Sequence, residues 1–234
     1  MTKTIHISVV ENIMVANDNL AIENDLQLKK NKTVAINIMA SPGAGKTSFI
    51  LRTIEKLSQS FRIGVIEGDT SAATIDADKI SELGFPAVQI NTGGDCHLDA
   101  NMLKSGLDNL TLSNLDLVLV ENVGNLVCPA AFKLGTYKNI LVASIPEGDD
   151  KPYKYPAMYS AVDVLIINKI DLLPYVPFDM DYFITGVKML NPGLISFPIS
   201  CKTDEGLEAW VNWVKSTVTD FRNGINDKNF FYPL

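Results

Sequence analysis

The sequence predicts an α/β fold of the P-loop NTPase type, a mostly parallel central β-sheet with helices on both faces. Three observations predict it. First, an apolar run, Val34-Ala35-Ile36-Asn37-Ile38-Met39, enters a Gly-rich loop, Ala40-Ser41-Pro42-Gly43-Ala44-Gly45-Lys46-Thr47, which opens a helical stretch from Ser48 to Ile54. Second, short apolar runs alternate with helical patterns down the chain, at the spacing of right-handed crossovers. Third, each candidate chemical group falls just after an apolar run, and in an open parallel sheet ligands bind at the carboxyl ends of the strands.

Composition narrows the class. With 234 residues, 47% of them hydrophobic, the chain can bury a sizeable core, and 20% charged residues argue against disorder. A net charge of −7 argues against nucleic acid as the main partner, because phosphate backbones attract basic faces. The apolar stretch Ile5 to Val10 is broken by His6 and Ser8 and is short for a signal-peptide core. No run approaches the roughly 18 apolar residues of a spanning helix. These features predict a cytoplasmic protein with no membrane role. Three cysteines, Cys96, Cys128 and Cys201, suggest thiols or metal ligands rather than a disulfide framework.

The elements follow in order. Between residues 11 and 31, Ile13, Val15, Leu20, Ile22, Leu26 and Leu28 recur at roughly helical spacing among polar residues. This predicts an amphipathic N-terminal helix packed on the domain, with a partner-binding helix as the sharper alternative. The expected division is 1–32 for that helix and lead-in, 33–222 for a GTPase domain and 223–234 for a tail that is polar, then aromatic. The first strand covers 33–39. In the loop after it, Gly43 and Gly45 let successive N–H groups, with that of Ala44, turn inward at an anion. The helix N-terminus at Lys46, Thr47 and Ser48 adds partial positive charge. Lys46 can reach the β- and γ-phosphates, and the Thr47 hydroxyl can ligate Mg²⁺. Ala40 stands where the usual pattern has its first Gly, a mild departure.

That helix runs to about Gln59, and a second strand, 62–66, ends in Glu67-Gly68-Asp69. Asp69 is a candidate Mg²⁺ or water-positioning group, or else a turn or N-cap residue. Residues 73–83 read as a helix capped by Gly84. A third strand, 87–90, runs into a loop holding Cys96 and His97, and a helix covers 98–110. The strand 117–120 is wholly apolar and of buried type. Glu121-Asn122-Val123-Gly124 and then Cys128-Pro129 follow it. Further strands cover 139–143, 164–167 and 194–199, and a last helix covers 205–222.

Asn168-Lys169-Ile170-Asp171 resembles the guanine-reading motif of G proteins. A carboxylate accepts from both guanine N1–H and the 2-amino group, a donor pair adenine lacks. A site built to make such bonds rejects analogues by roughly 10⁴-fold. Asp171 therefore selects GTP over ATP, the Lys169 stem lies along the base, and Asn168 ties the loop to the phosphate side. Ser200-Cys201-Lys202 resembles the last G-protein motif, Ser-Ala-Lys, whose backbone N–H contacts the guanine oxygen. Cys201 then reads as a small apolar residue and not a ligand. Glu121 and Gly124 occupy the ends of an Asp-x-x-Gly-like segment. The Gly124 N–H would sense the γ-phosphate, and Glu121 would reach Mg²⁺ directly or through water. No Gln follows Gly124, so intrinsic hydrolysis should be slow until a partner or second protomer completes the site. The lysine that marks the partition and nitrogenase-reductase ATPases would fall at Ser41, which argues against their dimer mechanism.

Cys96-His97 and Cys128 flank the same predicted edge. Thiolate and imidazole suit Zn²⁺ and Ni²⁺. Two Cys and one His are one short of a closed tetrahedral site, leaving a place for water or a group across a dimer. Spacing alone also allows packed cysteines, which behave as small hydrophobes.

Together, Glu67-Gly68-Asp69, Gln89-Ile90-Asn91-Thr92-Gly93, Cys96-His97-Leu98-Asp99-Ala100, Glu121 through Ala130, Pro146 through Pro152 and Asn168 through Pro174 resemble the HypB family over residues 10–215. Those are GTPases that insert nickel during maturation of [NiFe]-hydrogenase. The resemblance implies a GTP-dependent homodimer with a metal site at its interface, at Cys96, His97 and Cys128. It implies two partners, the small nickel chaperone HypA and the hydrogenase large subunit. Some members begin with a Cys-x-x-Cys-Gly-Cys nickel site and others carry a His-rich run. This chain has neither, so it is expected to handle nickel only through the GTPase domain. Two rivals are a maturation GTPase for another nickel enzyme such as urease, and an assembly module in which turnover is incidental. The urease family carries Cys-Pro-His where this chain has Val127-Cys128-Pro129-Ala130, which disfavours the first rival.

Overall fold

The computed structural model describes residues 9–70 and 80–225. Seven strands form one sheet in the order β3-β2-β4-β1-β5-β6-β7. They are β1 (Val34–Ala40), β2 (Ile63–Asp69), β3 (Ala87–Asn91), β4 (Leu117–Glu121), β5 (Lys138–Ser144), β6 (Val164–Asn168) and β7 (Ile195–Pro198). Every neighbouring pair is parallel. β1, β4 and β6 are buried along their whole length, as strands covered on both faces must be.

Helices cover both faces. They are α1 (Val9–Asn31), α2 (Lys46–Leu57), α3 (Ala100–Asp108), α4 (Lys151–Lys154), α5 (Pro156–Ser160), α6 (Met180–Leu190) and α7 (Leu207–Arg222). On one face, Phe49, Ile50 and Ile54 of α2 meet Trp210 and Val214 of α7 over Ile36, Ile38 and Leu119. On the other, Leu103 and Leu107 of α3 cover Ala35, Val118 and Val120. Full burial of side chains this size stabilises by about 1.5–3 kcal/mol each. A polar row crosses the apolar sheet. Asn122 Nδ2 donates to Asn37 Oδ1 at 3.1 Å, and Asn37 Nδ2 donates to Asn139 Oδ1 at 3.0 Å.

One expectation needs amendment. α1 does pack on the domain, along α3, but not through its apolar residues. Ile13, Val15, Ile22 and Leu26 are exposed, and of the six expected positions only Leu28 is buried. The buried stripe is Asn17, Ala21, Asn24, Asp25 and Leu28. Asn24 Nδ2 donates to the Ala100 and Leu134 carbonyls at 2.8 and 3.0 Å, and Asn17 Oδ1 accepts from Ala100 N–H at 2.9 Å. α1 is thus seated by side-chain amide hydrogen bonds, one of them from the Ala100 N–H, which has no helical partner at the start of α3. The predicted 73–83 helix lies mostly outside the described residues. Its last turn, 80–82, is helical and ends before Gly84 at φ +86°. The aromatic tail from 226 onward also lies outside them. Finally, α6 has no counterpart in the sequence reading. Asp179 caps it by accepting from Tyr182 N–H at 2.9 Å, and Phe183 and Val187 bury one face.

Candidate nucleotide and metal site

The carboxyl ends of β1, β2, β4 and β6 converge on the Gly-rich loop. Gly43 and Gly45 take φ +77° and +97°, which side chains disfavour. A Cβ on Gly45 would stand 2.6 Å from Asn168 Nδ2. α2 begins at Lys46, so its free N–H groups face the loop. Burial pushes the Lys46 ammonium below its usual value, while Glu121, Glu147 and Asp69 pull it back up. A lysine so placed is costly to bury until an anion arrives. Thr47 Oγ1 donates to Glu121 Oε1 at 3.1 Å. Thr47 and Glu121 offer hard oxygen donors, the kind Mg²⁺ selects, and Asp69 acts on the same Lys46. Gly124 lies against the loop: a Cβ there would be 3.2 Å from Pro42 and 3.3 Å from Lys46 Nζ.

The base side is a cleft of about 400 Å³ lined by Gly45, Ser48, Asn168, Lys169, Asp171 and Cys201, with Lys202 at its rim. Asn168 Nδ2 donates to the Ala44 carbonyl at 3.0 Å and Lys169 Nζ to the Gly43 carbonyl at 2.6 Å, so the β6 loop is pinned to the phosphate loop. Asp171 Oδ1 accepts from Ser200 Oγ at 2.7 Å, and Ser200 Oγ accepts from the N–H groups of Lys202 and Thr203. Burial pushes the Cys201 thiol up to about 11. It packs against the core and stands apart from the other two cysteines.

Those two meet. Cys96 Sγ lies 2.9 Å from Cys128 Sγ, and one ligand atom each from Cys96, His97 and Cys128 lie within 4.8 Å of one another. The bond to Cys128 holds the Cys96 thiol above its ordinary value, so a metal must displace protons to bind. The His97 ring stacks on Phe132 at 3.9 Å, and its buried Nδ1 has no hydrogen-bond partner among the described residues. Two asparagines join this cluster to the strand end beside it. Asn122 Oδ1 accepts from both Leu98 N–H at 3.0 Å and Val123 N–H at 2.9 Å. Asn125 Nδ2 donates to the Cys96 carbonyl at 3.2 Å, while its Oδ1 accepts from Val127 N–H at 2.9 Å.

Residues 34–197 match the family described as CobW/HypB/UreG, nucleotide-binding domain. The chain is 43% identical over 222 residues to the hydrogenase maturation factor HypB of Rhizobium leguminosarum bv. viciae, which covers 95% of this chain and 73% of that one. The chain belongs to the HypB family. Two solved HypB structures share its fold, each with a TM-score of 0.82. HypB from Archaeoglobus fulgidus is 36% identical, covering 87% of this chain and 99% of that one. HypB from Helicobacter pylori in complex with nickel is 35% identical, covering 92% and 100%.

In this chain the Gly-rich loop, the cleft beside Asp171 and the thiol cluster lie along one edge of the sheet. Three participants escaped the sequence reading. Glu67, two residues before Asp69, is buried and sits in register opposite Glu121. Glu147 accepts from Ser41 Oγ and, at 2.8 Å, from Ser144 N–H and Oγ, tying β5 to the phosphate loop. Asn122 is 1% exposed. A polar Asn37 inside an apolar strand was the one visible sign of its partner.

Proposed function

We propose that this chain is a Mg²⁺-dependent GTPase that acts as a nickel metallochaperone switch in [NiFe]-hydrogenase maturation. One observation carries the reading: the Cys128 segment leaves directly from Gly124, which packs on Lys46, so thiol cluster and phosphate cradle share one stretch of chain. GTP would sit with its phosphates on the Gly43–Thr47 loop and its base against Asp171. Mg²⁺, held by Thr47 with Glu121 and Asp69, would neutralise developing charge on the phosphates. Lys46 would bind the β- and γ-phosphates, and the Gly124 N–H would donate to the γ-phosphate. Closure of residues 121–128 on the nucleotide would then alter the spacing of Cys96, His97 and Cys128. Ni²⁺ is the cargo. Three ligands leave one position for a donor from a second copy, so GTP-dependent homodimerisation is part of the reading. Nickel would arrive from the chaperone HypA and leave for the hydrogenase large subunit. Zn²⁺ suits the same ligands and would compete.

The test is a Ni²⁺ titration of the full chain, nucleotide-free, with Mg-GDP and with a non-hydrolysable Mg-GTP analogue. Thiolate-to-nickel charge-transfer absorbance and oligomeric state are read together. The expected result is an affinity that changes with nucleotide alongside dimer formation. Nickel binding indifferent to nucleotide would leave a GTPase and a metal site with no shared mechanism.

A further inference from the structure

Two segments must communicate if nucleotide and nickel are coupled. One is Cys96–Leu98, between β3 and α3. The other is Asn122–Cys128, after β4. Among the described residues a single buried atom accepts from both. Asn122 Oδ1 takes the N–H of Leu98, next to His97, and the N–H of Val123, next to Gly124. Its amide is locked in this orientation. Nδ2 donates to Asn37 Oδ1, whose own Nδ2 donates to Asn139. A flip would set an NH₂ group against two N–H donors.

We infer that Asn122 is the positioning residue that couples the γ-phosphate segment to the metal ligands. The inference rests on the GTPase and nickel reading above and assigns its route. The physical argument is one of constraint. If residues 123–124 move toward a phosphate, Asn122 must carry Leu98 with them or surrender a buried bond. An unpaired buried N–H costs more than a bond gained in water returns. The cheaper course moves both segments together, and His97 moves with its neighbour. Asn125 adds a second tie, to the Cys96 carbonyl, from a less buried position. Reciprocity follows: whatever factor GTP applies to nickel affinity, nickel applies to GTP affinity.

The experiment measures one ratio, the Ni²⁺ dissociation constants with Mg-GDP and with a non-hydrolysable Mg-GTP analogue. In the unaltered chain it should lie within roughly 5- to 150-fold. Asn122→Ser, which removes the bridging amide, should bring it within about twofold of unity. Asn37→Ser leaves Asn122 in place but removes the acceptor that orients it, and should cut the ratio at least threefold. It serves equally if Asn122→Ser does not fold. A ratio unchanged in either serine variant overturns the inference while leaving the coupled switch intact. So does a uniform loss of nickel affinity in both nucleotide states, the mark of a merely structural residue. A ratio of one in the unaltered chain removes switch and route together.

Discussion

Asp171, proposed above to read the base, has little freedom of its own. Its Oδ1 is held by Ser200 Oγ at 2.7 Å, and Ser200 in turn gathers the N–H groups of Lys202 and Thr203. The carboxylate is therefore oriented before any nucleotide arrives, which lowers the ordering cost of binding. Replacing Asp171 by Asn turns one acceptor into a donor that faces the guanine 2-amino group. GTP affinity should fall by at least about 100-fold, and xanthosine triphosphate, which offers an acceptor there, should bind better than GTP. Competition between the two nucleotides checks this, and unchanged GTP affinity would remove Asp171 from the base pocket. The position of this residue in the cleft was legible in the sequence because its motif is contiguous. Glu147 and Asn122 were not. Their partners, Ser41 and Leu98, lie far along the chain or in another loop, and only the register of β1 with β4 and β5 brings them close.

At the scale of elements, α1 departs most from expectation. Apolar periodicity locates a helix well but assumes that burial follows hydrophobicity. Here the seat is built from Asn17 and Asn24, while Val15, Ile22 and Leu26 face outward. The Ala100 N–H at the start of α3 has no helical partner and the chain around Leu134 is irregular, so amides serve these groups better than methyl groups do. Asn24→Ala should leave the Ala100 and Leu134 carbonyls without this donor and cost about 1–3 kcal/mol. A urea midpoint shift checks the value, and a shift near zero would mean that water replaces the amide. Most strands were read within a residue or two because each carries a short apolar run, whereas β2 continues through Glu67-Gly68-Asp69. α6 has only a brief signal, Asp179 followed by Phe183 and Val187, and it follows a loop rich in proline and aromatic residues.

At the scale of the molecule, Asp116 fastens the edge of the sheet opposite the site. It accepts from Arg62 N–H, Nε and Nη2 at 2.9, 3.0 and 2.8 Å and pairs with Arg222 at 2.6 Å. It thereby joins the starts of β2 and β4 to the end of α7. The Arg62 guanidinium, above all, lowers its carboxyl to about 2. A carboxyl depressed in the folded state stabilises above its unfolded value near 3.8 and loses that contribution as pH falls toward 2. The effect is on the order of 2 kcal/mol at neutral pH. Asp116→Asn should lower the urea midpoint at pH 7 and flatten its fall between pH 4 and 2. A variant with the same acid limb as the unaltered chain would show that other carboxylates govern it. The sheet order has a further consequence, in time. β1 lies between β4 and β5, so the phosphate loop it carries cannot be framed until Ser144 has been made. Lys46 precedes Ser144 by 98 residues (144 − 46), which take about 5–20 s to synthesise. Throughout that interval the growing chain displays the most recognisable sequence it owns and has no cradle to offer a nucleotide.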